Sequence, residues 1–526
     1  MATATFRPSR PRLMSGSISS ALVVVVVAVA LFGDIVVGGI HVAELTLAAG
    51  VAGAAILLAA TRPGGAIGAL VFYVPLQQTM LAWVYAKGLP LTLVKDFGYI
   101  KDALVLGVCI AAVRNVQQRR VALRLDAFDG FAILYVTIAL VYLVLPSVFH
   151  GALGGQSFTT RIDAWRLDCL FPILALAGRR TPLSEASIRR IRYVVFLVAA
   201  AMFAVAVWES VDKLNYNHFL VSTIHLPEYQ QQALKTLPPI NDDYIITSVI
   251  GGLTVVRVGG LLADPLGLGF YMVLPLALAI ERISSSRAQR LTVLVAVASG
   301  VTVALTETRS AMIAGGLAIG LGSYVAYRKG SEARGRLAVF TIVALLVAVP
   351  LTAHTAFSSR LASAFSGTSQ NVDNQTHAQR SESAYHLVLH HPAGEGLGAN
   401  PATGARDQTS NSVKSENSYL QVGTELGIAG MLAFVAMYLA LLYKLRWRSR
   451  FHDEAGGLAG ASWLAGMGLF VGGFFLHVWI NYPVSLTYWG LAGISLAVPP
   501  PAPSPQPAAA LPGQRLRARA LAEGIW

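Results

Sequence analysis

The run RRIRYVVFLVAAAMFAVAVWES, from Arg189 to Ser210, decides the class of fold. Arginines crowd its start, no charge interrupts Tyr193 to Trp208, and Glu209 closes it. A helix rises about 1.5 Å per residue, so a stretch of this length crosses the ~30 Å hydrocarbon layer of a bilayer. Arginines gathered at one end mark that end as cytoplasmic.

The same pattern recurs on both sides of it. Hydrophobic segments fall near 18–40, 44–61, 64–86, 98–114, 127–149, 161–178, 189–210, 264–283, 290–306, 309–327, 336–353, 417–443, 458–480 and 484–498. They predict an all-α polytopic membrane protein with about 12–14 transmembrane helices. The spans occupy 18–498, after a cytoplasmic N-terminus over 1–17. Residues 499–526, rich in Pro and Ala and then basic, read as a disordered cytoplasmic tail that touches anionic lipid. Composition agrees. Only 13% of the 526 residues are charged, against about 25% in a soluble domain, and mean hydropathy is +0.58.

In a soluble chain the net charge of +13 would suggest nucleic acid. Here the location of the charge matters more. With the N-terminus inside and the spans alternating, 27 of the 40 Lys and Arg but only 8 of the 27 acids fall on the cytoplasmic side. That separation predicts an even number of spans, both termini cytoplasmic, and no nucleic-acid partner. Cys109 and Cys169 sit inside hydrophobic runs, so no disulfide framework is expected. There is no CxxC or HExxH spacing, and no metal or cofactor is expected. The basic start and the run from Leu22 to Leu31 mimic a signal peptide, but the apolar stretch continues and reads as a retained first helix.

Two polar segments on the outer side are long: 211–263, and 354–416 just before the last three helices. Loops of this length are functional or disordered. The charges that draw attention lie near outer helix ends. They include Lys101, Asp102, Arg161, Asp163, Arg166, Asp168, Arg257 and Arg309. Each has a plain structural reading, because charge at a membrane boundary snorkels cheaply. Asp163 and Arg166, three apart, can simply pair on one helix face. Arg309, in Thr306-Glu307-Thr308-Arg309-Ser310, lies between two helices with almost no loop. A planar, permanently charged fork held there suits a phosphate or diphosphate, and a local contact with Glu307 is the alternative.

The second long loop adds Arg360, Arg380, His386, His390, His391 and Arg406. Its Pro392-Ala-Gly394-Glu-Gly396-Leu-Gly398 follows no strand, so it is no dinucleotide fingerprint and reads as a tight turn re-entering the bundle. Solvated loop residues are the plain reading of the histidines. The loop closes on Glu416-Asn417-Ser418-Tyr419, with Glu425 nine residues beyond Glu416. A carboxylate as deep as Glu425 should face a protein interior or a wet cavity.

Taken in order, several pieces resemble the O-antigen ligase and polysaccharide polymerase superfamily. They are Ala263-Asp264-Pro265, Thr306-Glu-Thr-Arg309-Ser310, His391-Pro392-x-Gly394-x-Gly396-x-Gly398, Glu416-Asn417-x-Tyr419-Leu420 and Glu425-x-Gly427. The resemblance spans residues 260 to 445. It implies a metal-independent glycosyltransferase of GT-C type, with its active site on the outer face of the inner membrane. The donor would be a glycan on a polyprenyl diphosphate, and the acceptor a hydroxyl of a glycan, lipid or protein. Membrane lipid surrounds the enzyme; a flippase and a chain-length regulator are the protein partners to look for. Ligases carry His where this chain has Glu416, which tilts the reading to a polymerase.

On that reading Glu416 is the base and Arg309 a catalytic cation, with His390 or His391 the fallback base. Arg360, Arg380, Arg161, Arg166 and Arg257 are further diphosphate ligands, and Asn417, Tyr419 and Glu425 line the site. A transporter or flippase for an amphiphilic substrate is the competing class. It predicts internal repeats and ionisable residues at the bilayer midplane, and neither is clear in the sequence.

Overall fold

The computed structural model describes residues 40–121, 123–145, 156–234, 244, 247–250, 253–285, 290–329, 372–400 and 415–497. The segments 18–40 (but for Ile40) and 336–353, the tail, Arg360 and Arg406 lie outside the described residues. Each of the other twelve hydrophobic segments holds a helix. In chain order these are α1 (Ile40–Thr61), α2 (Pro63–Ala86), α4 (Ile100–Gln117), α5 (Ala127–Val144), α6 (Phe158–Arg179) and α7 (Glu185–Val211). After the first long loop come α10 (Pro265–Ser284), α11 (Arg290–Leu305), α12 (Arg309–Lys329), α14 (Ser418–Arg448), α15 (Glu454–Gly472) and α16 (Tyr482–Ala497). A short α3 (Leu91–Phe97) precedes α4. Among the described residues, seven helices are long and apolar enough to cross a membrane: α2, α5, α7, α10, α12, α14 and α15.

The helix starts follow local chemistry. Asp126, Ser157, Ser184, Asp264, Asn417 and Asp453 each cap the helix that follows through a side-chain oxygen accepting backbone N–H. Helix α10 is the central post, almost wholly buried and packed on α11, α12 and α15. Around it an aromatic cluster of Phe171, Phe434, Tyr438, Trp479, Tyr488 and Trp489 joins α6, α14 and α16. Lipid tails are as apolar as these side chains, so close packing rather than water exclusion holds such a bundle together.

Neither long loop is structureless. The first holds α8 (Lys213–His218), α9 (Leu226–Tyr229) and an antiparallel hairpin of β1 (Thr247–Ile250) and β2 (Leu253–Val256), the one sheet among the described residues. The second holds α13 (Val372–His390). Helix α15 stops at Gly472, short of the 480 that hydropathy suggests. The chain turns there because it docks on the start of α14. Gly473 O and Leu476 O accept from Ser418 N (2.8 Å) and Ser418 Oγ (2.9 Å), and Val478 N donates to the same hydroxyl (2.9 Å).

The cations assigned to the cytoplasm by alternation meet at one end of the bundle. Arg179 and Lys444 converge on Asp126, and Arg179 and Arg180 on Asp129. Arg192 (2.5 Å) and Arg282 (3.3 Å) converge on Glu454, and Arg448 pairs with Asp453 (2.5 Å). Burial pushes the Asp126 carboxyl up, but its bonds to Arg179 and Lys444 outweigh that and bring it down to about 2.

Candidate active site

The opposite end is built on the turn between α11 and α12. Thr306, Glu307, Thr308 and Ser310 are all buried there, and Glu307 adopts left-handed φ (+49°), which sharpens the reversal. Thr308 N donates to Thr306 Oγ1 (3.3 Å) and Thr308 Oγ1 to Pro265 O (3.1 Å), locking the turn to the start of α10. Arg257 grips it from the first long loop, through Nε to Thr306 O (3.3 Å) and Nη2 to Thr308 Oγ1 (3.0 Å). Asp264 caps α10 and accepts from Asn481 Nδ2 (3.4 Å). Arg309 sits half-buried as the first residue of α12.

The second element is the start of α14. Asn417 is the N-cap, its Oδ1 accepting from Tyr419 N (2.8 Å) and Leu420 N (3.1 Å), while its Nδ2 donates to Phe474 O (2.9 Å). Tyr419 is buried and donates its hydroxyl to Phe470 O (2.7 Å). Both therefore fasten α14 to α15. Glu416, one residue ahead of the cap and 6% exposed, forms an ion pair with Arg380 of α13.

The level of Arg309 follows from packing. Helices α12 and α15 run antiparallel, with Gly468 pressed on the Ala314 backbone and Gly322 beside Leu464. Five residues separate Ala314 from Arg309, and five separate Gly468 from Gly473, about 7.5 Å in each case. Arg309 is thus level with Gly473, whose carbonyl receives Ser418 N. The Thr306–Ser310 turn and the Glu416–Arg380 pair share one end of the bundle.

The glycine-rich segment does re-enter the bundle. Glu395 N donates to Thr424 O (2.7 Å), Gly396 N to Glu425 O (3.0 Å) and Ile428 N to Pro392 O (2.9 Å), so it lies against α14 like a short strand. The helix opens for it: Gly427 has φ +69° and ψ −174°, which kinks α14. A Cβ on Gly394 (φ +79°) would come within 2.5 Å of Gly427 N and 2.7 Å of Glu425 O. Tyr142 of α5 donates its hydroxyl to Ala393 O.

Glu425 is fully buried beneath this segment, the interior setting that its depth suggests. Asn400 N donates to its Oε1 (3.3 Å), and Asp168 on α6, also buried, is its acidic neighbour.

The remaining charges divide by partner. Arg166 is bidentate to Asp102 (3.3 and 2.6 Å), also binds Asp163 (3.1 Å), and lies over the Tyr99 ring. Arg161 donates to Leu143 O (3.2 Å) and covers Phe158. His391 is exposed and meets Glu395 (3.1 Å), and His390 stacks on His386. Among the described residues no three His, Cys, Asp or Glu side chains gather as a metal site.

Sequence reading did not join Asp168 to Glu425, nor did it select Asn400, Glu209 or Asn481. Glu209, closing α7, accepts from Gly259 N (3.0 Å) and Gly260 N (2.6 Å) and so anchors the segment that carries Arg257. The only signal was a lone acid ending an apolar run, which any helix end can show.

Comparison with known proteins joins these parts. The O-Antigen ligase family model matches residues 294–435, a span that contains the Arg309 turn, α13, the glycine-rich segment and the kinked start of α14. An O-antigen polymerase of Salmonella muenchen is 22% identical over 347 residues, covering 65% of this chain and 80% of the relative. With its motifs in order, a matched domain holding both halves of the candidate site and a relative aligned over most of both chains, this protein is similar to the O-antigen ligase and polysaccharide polymerase superfamily.

Proposed function

We propose that this chain is a membrane glycosyltransferase that moves a glycan from a polyprenyl diphosphate carrier to an acceptor hydroxyl. It acts as a polysaccharide polymerase rather than a ligase, on the outer face of the inner membrane. The observation that carries the reading is the Arg380–Glu416 pair at the capped start of α14, at the same bundle end as Arg309. The acceptor oxygen attacks the anomeric carbon, the bond from that carbon to the diphosphate oxygen breaks, and the diphosphate leaves with the electron pair. The hydroxyl proton passes to the Glu416 carboxylate, which the neighbouring Arg380 orients.

Charge grows on the departing diphosphate, and guanidinium groups already in place stabilise it without reorganising. Arg309 and Arg380 are the described candidates, with Arg360 of the second long loop as a third. Arg166 and Arg257 are engaged with Asp102, Asp163, Thr306 and Thr308, so they serve to hold the frame. Asn417 and Tyr419 fix the helix start that presents Glu416. Two findings favour polymerase: an acid stands where ligases carry His, and the Salmonella relative is described as a polymerase.

Arg309→Ala and Glu416→Ala, each checked for membrane expression, should abolish long-chain surface glycan and leave lipid-linked donor unconsumed. Unchanged polymer length in both variants rejects the mechanism. Purified enzyme given lipid-linked repeat units alone should make a ladder of lengths. A product that forms only when a separate acceptor lipid is added would make it a ligase.

A further inference from the structure

At the end of the bundle remote from the candidate active site there is a cavity of ≈ 370 Å³. Its walls come from the ends of four helices: Glu281 on α10, Tyr324 and Arg328 on α12, Arg446 on α14, Arg450 and His452 just beyond it, and Trp463 on α15. The volume falls within the ~300–1,000 Å³ of ligand clefts. The guanidinium of Arg446 lies 4.6 Å from the Trp463 ring centroid, which fixes its plane. Three arginines against one carboxylate leave the cavity net positive even with His452 neutral. Planar forks converging from separate elements match the several oxygens of one phosphate.

The rim says where that phosphate comes from. Tyr324 (57% exposed), Tyr327 (62%), Tyr443 (75%) and Trp447 (45%) stand at the same ends of α12 and α14. Exposed tyrosine and tryptophan collect at the level of lipid headgroups, where one end of the ring is wet and the other apolar. A basic pocket between helices at that level is the recognition pattern for an anionic headgroup. We propose that this cavity binds the phosphate ester of an anionic phospholipid headgroup, with the acyl chains lying along α12 and α14. The site is separate from the transfer chemistry and does not depend on it.

The test uses the purified full-length protein in detergent. Thermal stability is measured against added phosphatidylglycerol, phosphatidylcholine or glycerol 3-phosphate, for the wild type, Arg446→Lys, Arg450→Gln and the pair Arg189→Gln/Arg190→Gln. Arg189 and Arg190 are exposed at the start of α7, outside the cavity, and control for bulk charge. Phosphatidylglycerol should stabilise the wild type and the control pair alike. Its apparent affinity should fall about tenfold in Arg450→Gln, by loss of one charge-assisted contact, and also fall in Arg446→Lys, which keeps charge but loses the fork. Phosphatidylcholine should do little. Stabilisation by glycerol 3-phosphate as well would assign the site to the phosphate ester itself and uphold it. Equal lipid response in all four proteins, or the same loss in the control pair, overturns the proposal. Melting without lipid, read for every variant, separates a folding defect from a binding one.

Discussion

Gly394→Ala is the sharpest probe of how the second long loop closes on the bundle. Gly394 has φ +79°, and an added Cβ would meet Gly427 N at 2.5 Å and Glu425 O at 2.7 Å. Holding a non-glycine residue in that region costs about 1–2 kcal/mol. Forcing the clash apart adds about 1–3 kcal/mol. It also stretches the bonds from Glu395 N to Thr424 O and from Gly396 N to Glu425 O, each worth about 1 kcal/mol. With both bonds lost the sum is about 4–7 kcal/mol. Gly88 supplies the control, because its φ is +88° but nothing lies within 4 Å of its added Cβ. Gly88→Ala therefore carries the strain term alone, about 1–2 kcal/mol. At about 2 °C per kcal/mol for a large chain, melting in detergent should fall by about 8–14 °C for Gly394→Ala and about 2–4 °C for Gly88→Ala. Donor consumption should fall only in the first. Equal shifts in the two proteins would refute the packing of the glycine-rich segment on α14.

Other outcomes follow from the same geometry. If Glu416 takes the acceptor proton, Glu416→Gln should lower kcat by about 10²–10⁴ with little change in KM, and adding Arg380→Ala should lower activity further, because Arg380 also faces the departing diphosphate; steady-state kinetics of the single and double variants would expose a purely structural pair, since the double variant would then recover. Asp126 sits at about 2 against an ordinary 3.8, so its folded form is the lowered one. The stability it contributes is complete above about pH 4 and disappears as pH falls through about 2. Asp126→Asn keeps a good cap, so its melting point should lie below wild type at pH 6 and approach it near pH 3; a gap independent of pH contradicts the assignment. Glu425→Gln offers Asp168 an amide donor and should fold, whereas Glu425→Ala leaves a void beside a buried carboxyl and should cost about 1–3 kcal/mol more in thermal stability. Equal losses would show that the Asp168 contact contributes nothing.

Much of the frame is legible in the sequence because a bilayer leaves few choices. Backbone groups in hydrocarbon must pair within the segment, so long apolar runs become helices. Twelve of the segments lie where hydropathy puts them. The end of α15 was missed because hydropathy continues past Gly472, while what stops the helix is a tertiary contact with Ser418. The site is partly legible. Its motifs name Arg309, Glu416, Asn417 and Glu425 by residue type and order. Pairing is another matter. Arg380 lies 36 residues from Glu416, and Asp168 is more than 250 residues from Glu425. No local pattern announces such contacts, and the sequence alone left Arg166 open between diphosphate ligand and partner of Asp163.

The carboxylates at the basic end carry a mechanical consequence. Glu454 on α15 clamps Arg192 of α7 and Arg282 of α10, and Asp126 ahead of α5 clamps Arg179 of α6 and Lys444 of α14. Each clamp ties the first half of the chain to the second. A machine that rocks two halves about a central seam would have to break both clamps in every cycle. A stationary bench has no such need: on the reading proposed above, the halves stay riveted at one rim while the reactants meet at the other.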